Sequence, residues 1–418
     1  MARRREVLSW ALYDFGSSAF NTLMITFIFN RFFTEVMAPD YNTGTVMWAR
    51  AINISAVVVA LISPILGAAA DFSGRKKFFL VSFATMSIVF TTLLFFVGPG
   101  AAGTAIILFV LANIGFEAAN VFYYSFLPDV SDDDNIGRVS GTGFFLGYIG
   151  GLISLAIGLG MIRGWLPKDE YLNVRGTILL VASWYLVFAL PMFLFVKQKT
   201  VPQKIVGGYI SHGFNRLFET IRHARKYSEA GKLLIARMIY NDGLGTVIAM
   251  ASIYAGAVFK MPLEEVLKMG IALNVFAGLG SLIFGFVDDR IGGKKTIMIS
   301  LVFLTIGSSI GVISTTVGGF WIAAAIIGFM MGPNQAASRS LLSKLTPDDK
   351  QAEFFGLYSF SGKLSSLLGP LAYGTVVAQT GNHKLAMASI VVFFIVGGFV
   401  LIFVREEEGM RAAGRRVV

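Results

Sequence analysis

Residues 67–77 read "GAAADFSGRKK" and residues 285–295 read "GFVDDRIGGKK". Each closes a long apolar run with an acid, a glycine and a cluster of cations. The offset between them, 218 residues, also lays Glu117, Ala118, Ala119 and Asn120 on Gln335, Ala336, Ala337 and Ser338, and Leu127 on Leu345. An offset of 227 matches "LYDFG" (12–16) to "IYNDG" (239–243), with Tyr13 on Tyr240 and Asp14 on Asn241. One such match is noise. Three, in order and at matching depths, indicate a chain built as two parallel halves.

The surroundings say what the halves are made of. Of 418 residues, 55% are hydrophobic and 14% charged, against about 25% charged in soluble domains. This is the composition of an all-α, multi-pass membrane protein. A span needs about 20 apolar residues. That rule places helices at 9–35, 46–70, 78–98, 103–127, 138–162 and 177–196 in the first half, and at 232–258, 266–287, 296–316, 319–345, 353–379 and 384–404 in the second. Twelve transmembrane helices in two pseudo-symmetric halves follow. The expected division is 1–196 for the first half, 197–231 for a polar linker, 232–404 for the second half and 405–418 for a basic tail. Within the linker, "FNRLFETIRHARKY" alternates apolar and basic residues at helical spacing, as a helix lying on a membrane surface does.

Charge supplies the orientation. The net charge of +10 would suggest nucleic acid in a soluble protein. Here the cations sit in short loops, so no nucleic acid is expected. They crowd the N-terminus (Arg3, Arg4, Arg5), the loop at Arg75, Lys76 and Lys77, the linker, the loop at Arg290, Lys294 and Lys295, and the tail. The turns "GPGAAG" and "TTVGG" carry none. Both termini are therefore expected in the cytoplasm. The start "MARRREVLSW" is basic like a signal peptide. The apolar run behind it holds Asp14 and Asn21 and lacks an A-x-A-like cleavage site, so it reads as a retained first helix. Cysteine is absent, which excludes disulfides and thiolate metal or redox sites. No cofactor or metal is expected.

The pattern G-x-x-x-D-x-x-G-R-K-K at 67–77, echoed as G-x-x-x-D-x-x-G-G-K-K at 285–295, resembles the loop signature of the major facilitator superfamily. The stretches "WALYDFGSSAF" (10–20), "GFEAANVFYYSFLPD" (115–129), "GRVSGTGFFLGYIGG" (137–151), "RMIYNDGLGTVI" (237–248) and "EFFGLYSFSGKLSSLLGPL" (353–371) further resemble the branch that contains the fungal vacuolar amino-acid effluxer and its bacterial relatives. The resemblance covers nearly the whole chain. It implies the major facilitator fold, a transport role, monomeric function and gating by the loop residues. The expected location is a bacterial inner membrane, surrounded by lipid.

Ionisable groups inside the spans mark the candidate site. An acid near a helix centre costs about 2.5–3.5 kcal/mol by insertion scales, so each such group is a functional hypothesis. Asp14, Ser18 and Asn21 share a stripe on the first helix. Asn113, Glu117, Asn120 and Tyr124 share a face of the fourth, with Glu117 near mid-membrane, as a proton site or an amine anchor. The seventh carries Arg237, Tyr240, Asn241 and Asp242, followed by Gly243 and Gly245. The tenth carries Gln335, Ser338 and Arg339, and the guanidinium suits either a substrate carboxylate or a gate ion pair. Lys363 lies deep in the eleventh and calls for an acidic partner. The six deep charges, Asp14, Glu117 and Asp242 against Arg237, Arg339 and Lys363, sum to zero. Such a set suits a zwitterion, or a group of purely structural pairs. Asp71, Arg75, Asp289 and Arg290, at the loop edge, are read as gate residues rather than substrate contacts. Gly143, Gly147 and Gly151 form a close-packing face.

Three function classes were weighed. No Walker A motif is present, so a transporter here would be secondary, driven by protons, by another ion or by the substrate gradient, and moving a small polar or zwitterionic solute such as an amino acid, outward. A lipid or lysolipid flippase on the same fold is the alternative, with Phe122, Phe126, Phe144 and Phe145 as its apolar wall. An intramembrane aspartyl enzyme would need a GxGD pattern, and the chain has "YNDGLGT" instead. No HExxH or GxSxG occurs either, so an enzyme is not expected.

Overall fold

The computed structural model describes residues 2–199, 214, 218–220, 222, 224–365 and 368–415, and every regular element among them is helical. Helix α1 (Ala2–Ala19) continues as a π-helix over Phe20–Phe27. Its wider turn shows in Thr26, whose hydroxyl donates to the Asn21 carbonyl five residues back at 2.9 Å. Helix α2 (Tyr41–Ser73) begins where Asp40, in extended backbone, accepts from the Thr43 amide at 3.0 Å and its hydroxyl at 2.6 Å. The Thr43 hydroxyl and amide bonds hold the Asp40 carboxyl below its ordinary pKa. The helix ends where Gly74 takes the left-handed conformation, φ 61°. There follow α3 (Lys76–Leu94), α4 (Ala102–Ser125), α5 (Ile136–Gly160), α6 (Leu172–Phe195), α7 (Ser228–Phe259), α8 (Leu263–Ile291), α9 (Gly293–Ile313) and α10 (Val317–Lys344), then α11 (Gln351–Ser365), α12 (Leu368–Thr380), α13 (His383–Ile402) and the short α14 (Glu406–Ala412).

Ten of these, α2 to α10 and α13, are long and apolar enough to cross a membrane. The other two expected spans are not among them. The run 9–35 passes from α-helical to π-helical geometry, and the run 353–379 appears as α11 and α12, with residues 366 and 367 outside the described residues. The expected surface helix in the linker falls largely outside the described residues as well. Of its surroundings, Thr220 accepts from the Lys350 ammonium at 2.6 Å.

The internal repeat reappears as packing. α1 lies on α5 and α6, as α7 lies on α11 and α13. α4 packs on α2 and α3, as α10 packs on α8 and α9. Buried apolar residues form two clusters, one drawn from residues 10–196 with Ala352, the other from 230–410 with Val121. The face of Gly143, Gly147 and Gly151 seats α1 of its own half, with Gly143 also close to Arg339. It therefore works mainly within the half rather than as a sliding surface between halves.

The halves meet through α2 against α11 and α5 against α8, the same crossing made twice. Both crossings lie on the first glycine of the repeated loop motif. A Cβ on Gly67 would meet the Ala352 backbone carbonyl, and one on Gly285 would lie 3.0 Å from the Gly137 carbonyl. Inside the second half, a Cβ on Gly280 would meet the Phe329 carbonyl. Backbone cannot step aside as a side chain can. Gly280→Val is therefore expected to cost about 1–3 kcal/mol or more, seen as a lower thermal midpoint of the detergent-solubilised protein. Gly245→Ala, a helical glycine with nothing within 4 Å of its Cβ position, should leave the midpoint unchanged or raise it slightly.

Candidate functional site: a cavity between the two halves

A cavity of about 1220 Å³ opens between the halves. Its wall residues on α1 begin at Asp14 and run toward the C-terminal end. Those on α2 lie in the first turns, from Tyr41 to Trp48, and those on α8 from Val266 to Asn274. On α10 they run from Phe320 to Gln335. The cavity therefore opens at the end opposite the two motif loops and stops at the level of Asp14. Its polar lining is neutral: Ser17, Ser18, Asn21, Thr22, Asn120, Tyr124, Tyr148 and Gln335. Three lining residues are charged, Asp14, Arg31 and Glu35. Arg31 and Glu35 pair with each other at 2.7 Å near the mouth, well exposed. Asp14 is the one charge at the base.

Beneath Asp14 lies the wholly buried guanidinium of Arg339. It comes from α10 and enters the first half. Its Nη1 donates to Asp14 Oδ2 at 3.3 Å, its Nε to Ser140 Oγ at 3.0 Å and its Nη2 to the Ser140 carbonyl at 2.7 Å. Four rings surround it, Phe144 at 4.3 Å, Trp10 at 4.8 Å, Tyr124 at 5.0 Å and Tyr123 at 5.8 Å from their centroids. Aromatic faces attract a desolvated cation, so the guanidinium is stabilised by rings as well as by its carboxylate. A second ion pair joins Lys363 of α11 to Glu117 of α4, again between halves, with 27% and 22% of the side chains exposed.

Deeper still, each motif acid caps a helix of the opposite half. Asp71, ending α2, accepts from the Glu353 amide at the start of α11 at 2.8 Å. Asp289, ending α8, accepts from the amides of Gly137 at 2.8 Å and Arg138 at 3.2 Å at the start of α5, and from Arg138 Nε at 2.8 Å. These are the orphan donors of a helix N-terminus. Its neighbour Asp288 stays within its half, on the Ser340 hydroxyl. Beyond α14, Arg415 reaches Asp133 of one half at 3.6 Å and Asp348 of the other. This end of the cavity is closed by bonds between the halves.

Of the residues singled out from sequence, Asp14, Asn21, Asn120, Tyr124 and Gln335 line the cavity. The others lie elsewhere. Asn113 and Tyr240 are buried, Tyr240 with its hydroxyl 2.7 Å from that of Ser338. Asn241 donates to Ser365 Oγ at 3.1 Å. Asp242 accepts from the Gly369 amide at 2.9 and 3.0 Å. Arg237 donates to the Tyr358 carbonyl at 3.1 Å and sits on the Tyr358 ring at 3.4 Å. Arg339 faces Asp14 and Ser140 rather than the open cavity, and Lys363 faces Glu117. Arg75 and Arg290 are exposed at the loop surface. The arginine that meets a motif acid is Arg138, which sequence reading passed over although it stands in the quoted stretch "GRVSGTGFFLGYIGG". Trp10, Tyr123 and Ser140 were passed over too, since nothing in an aromatic or a serine on an apolar helix marks it as the seat of a distant arginine.

The motif caps hold the closed end, so neutralising one should release it. The chain has no cysteine, so a single Ser18→Cys reports on the cavity without background. In Asp289→Ala, labelling of that cysteine by a bulky maleimide is expected to slow several-fold as the population leaves this state. An unchanged rate would show that the cap does not bias the equilibrium.

The comparisons with known proteins agree with this architecture. The family model described as "Vacuole effluxer Atg22 like" matches residues 41–414. YxiO, an MFS-type transporter of Bacillus subtilis (strain 168), is 31% identical over 406 residues, covering 96% of this chain and 94% of that one. Autophagy-related protein 22 of Kluyveromyces lactis is 27% identical over 374 residues, covering 81% and 74%. Among solved structures, the human organic anion transporter MFSD10 superposes with a TM-score of 0.74 at 13% identity, over 96% of this chain and 99% of that one. A bacterial homologue of ferroportin in its outward-facing state gives 0.73, also at 13% identity, over 96% and 98%. The fold is that of the major facilitator superfamily, and the chain belongs to the Atg22-like vacuole-effluxer family of membrane transporters.

Proposed function

We propose that the chain is a secondary active transporter that exports a small polar or zwitterionic solute, such as an amino acid, by alternating access coupled to protons. The observation that carries this reading is the cavity, which ends at an ion pair, Asp14 with Arg339, made between the halves that must rock. A solute entering the cavity meets Asp14, Asn21, Asn120, Tyr124 and Gln335. The basic loops put both termini in the cytoplasm of a twelve-span protein. On that orientation the open end faces outward, and the caps by Asp71 and Asp289 close the cytoplasmic side. The export direction rests on the family's effluxer description. Working as a monomer in the bacterial inner membrane is part of the same reading.

Glu117 is the proton site in this scheme. Its partner Lys363 belongs to the other half, and both side chains are partly exposed. Protonating Glu117 removes the charge that holds Lys363, and α4 can part from α11. The flux assay uses proteoliposomes with an internal pH dye and a panel of amino acids, short peptides and sugars. A substrate-dependent pH signal is expected, at least tenfold smaller in Glu117→Gln. A signal of full size in that variant would move the proton elsewhere. Solute flux with no pH signal in the wild type would remove coupling.

A further inference from the structure

We propose that the solute is bound through a cationic group, an ammonium or a guanidinium, that takes the place of Arg339 on the Asp14 carboxylate against the faces of Tyr124 and Phe144. This deepens the transporter reading and rests on it.

The first ground is what the cavity shows to a ligand. Asp14 keeps 15% of its side chain exposed, whereas Arg339 is at 0%. Below the Arg31–Glu35 pair at the mouth, the lining offers a ligand one carboxylate, neutral hydroxyls and amides, and no cation. The counter-charge beside Asp14, Arg339, is buried behind it, so an anion entering from the cavity would meet the carboxylate first. A cation gains a charge-assisted bond there.

The second ground is that the site already holds a cation of its own. Arg339 is fixed by a carboxylate and a cage of rings, and that arrangement recognises amines and guanidinium groups generally. Two of the four rings, Tyr124 and Phe144, also line the cavity. Two rings and one carboxylate are thus shared between Arg339 and the cavity.

The third ground is the order of the bonds. The Asp14 contact, one nitrogen to one oxygen at 3.3 Å, is the longest of Arg339's three. When a ligand takes Asp14, Arg339 keeps its two bonds to Ser140 and the rings of Trp10 and Tyr123. The exchange removes the ion pair between α1 and α10, so the ligand itself loosens the base of the cavity. An amino acid fits this scheme through its ammonium, with its carboxylate left to the amides of Asn21, Asn120 and Gln335.

The test is equilibrium binding to the purified full chain, with probes that differ in charge but share a shape: L-leucine amide (cation), L-leucine (zwitterion), N-acetyl-L-leucine amide (neutral) and N-acetyl-L-leucine (anion). Agmatine serves as a cation of another shape. At least one cationic or zwitterionic probe should bind at least tenfold tighter than the neutral and anionic probes, and protect Ser18→Cys from labelling. Asp14→Asn should lose that preference. Because Asp14→Asn also disturbs the ion pair, Tyr124→Leu provides an independent arm, with cation affinity falling several-fold while neutral probes are unaffected. Arg339→Gln should bind cations more tightly, since the resident competitor is gone, and a merely structural arginine would not give that sign. Equal binding of anion and cation, binding of no probe, or a charge preference intact in Asp14→Asn overturns the proposal. Transport of an uncharged solute in the flux assay would also overturn it while leaving the carrier reading in place. Failure of both flux and binding would remove the carrier reading itself.

Discussion

The structure depends on one guanidinium crossing between two halves. Arg339 is carried by α10, yet most of what holds it, Asp14, Ser140 and the rings of Trp10, Tyr123, Tyr124 and Phe144, belongs to the other half. A buried charge left alone is far costlier than a buried charge that is paired. That difference fixes the depth at which the cavity ends. Above Arg339 the walls diverge and the lining is mostly apolar, with neutral hydroxyls and amides set among it. Below it the motif acids, the helix starts and Arg415 draw the halves together. Asp14 belongs to both zones, which is how an acid comes to be tolerated so early in an apolar helix.

The repeat explains how the two halves became complementary rather than identical. Asp14 has Asn241 as its counterpart, and Glu117 has Gln335. The first half keeps carboxylates where the second has amides of similar shape. The second half supplies the cations, Arg339 and Lys363, and each reaches across to one of those carboxylates. The motif loops kept their symmetry: Asp71 and Asp289 do one job twice, each on the helix start the other half provides. On the proposed function, the divergent cavity base would carry selectivity and the symmetric closed end the rocking contact.

Much of the fold was legible in the sequence because its signals are local or periodic. Apolar runs of span length, the repeated loop motif and the basic loops each read within a few residues. The pairings were not legible, because they join residues far apart: 325 positions separate Asp14 from Arg339 and 246 separate Glu117 from Lys363. Sequence depth placed Arg339 near one end of its helix, suited either to a gate or to a substrate carboxylate. The rings that cover it come from helices whose neighbourhood no spacing reveals. Asp242 is a similar case. Its carboxylate, one of the six deep charges, serves as the acceptor for the Gly369 amide. The two residues are 127 positions apart, and no spacing reveals that contact.

The closed end must also be able to open, and its construction suits that. A helix cap contributes about 0.5–2 kcal/mol. The caps by Asp71 and Asp289 therefore contribute only a few kcal/mol together, beside the ion pairs Asp14–Arg339, Glu117–Lys363 and Arg138–Asp289 and the Arg415 bridge. A shift of population from 1:99 to 99:1 needs about 5.5 kcal/mol of differential binding, so a ligand or a proton acting on these bonds works against a barrier of its own scale. The crossings of α2 with α11 and of α5 with α8 point the same way. They meet at glycines, where backbone lies on backbone. Parting them uncovers carbonyls and capped amides, which water can satisfy, along with aromatic side chains such as Phe145 and Tyr148. An interface built on interlocked leucines would be stronger and would not move. By joining the halves through polar bonds that water, a proton or a cation can replace, the chain keeps each half rigid and the contact between them exchangeable.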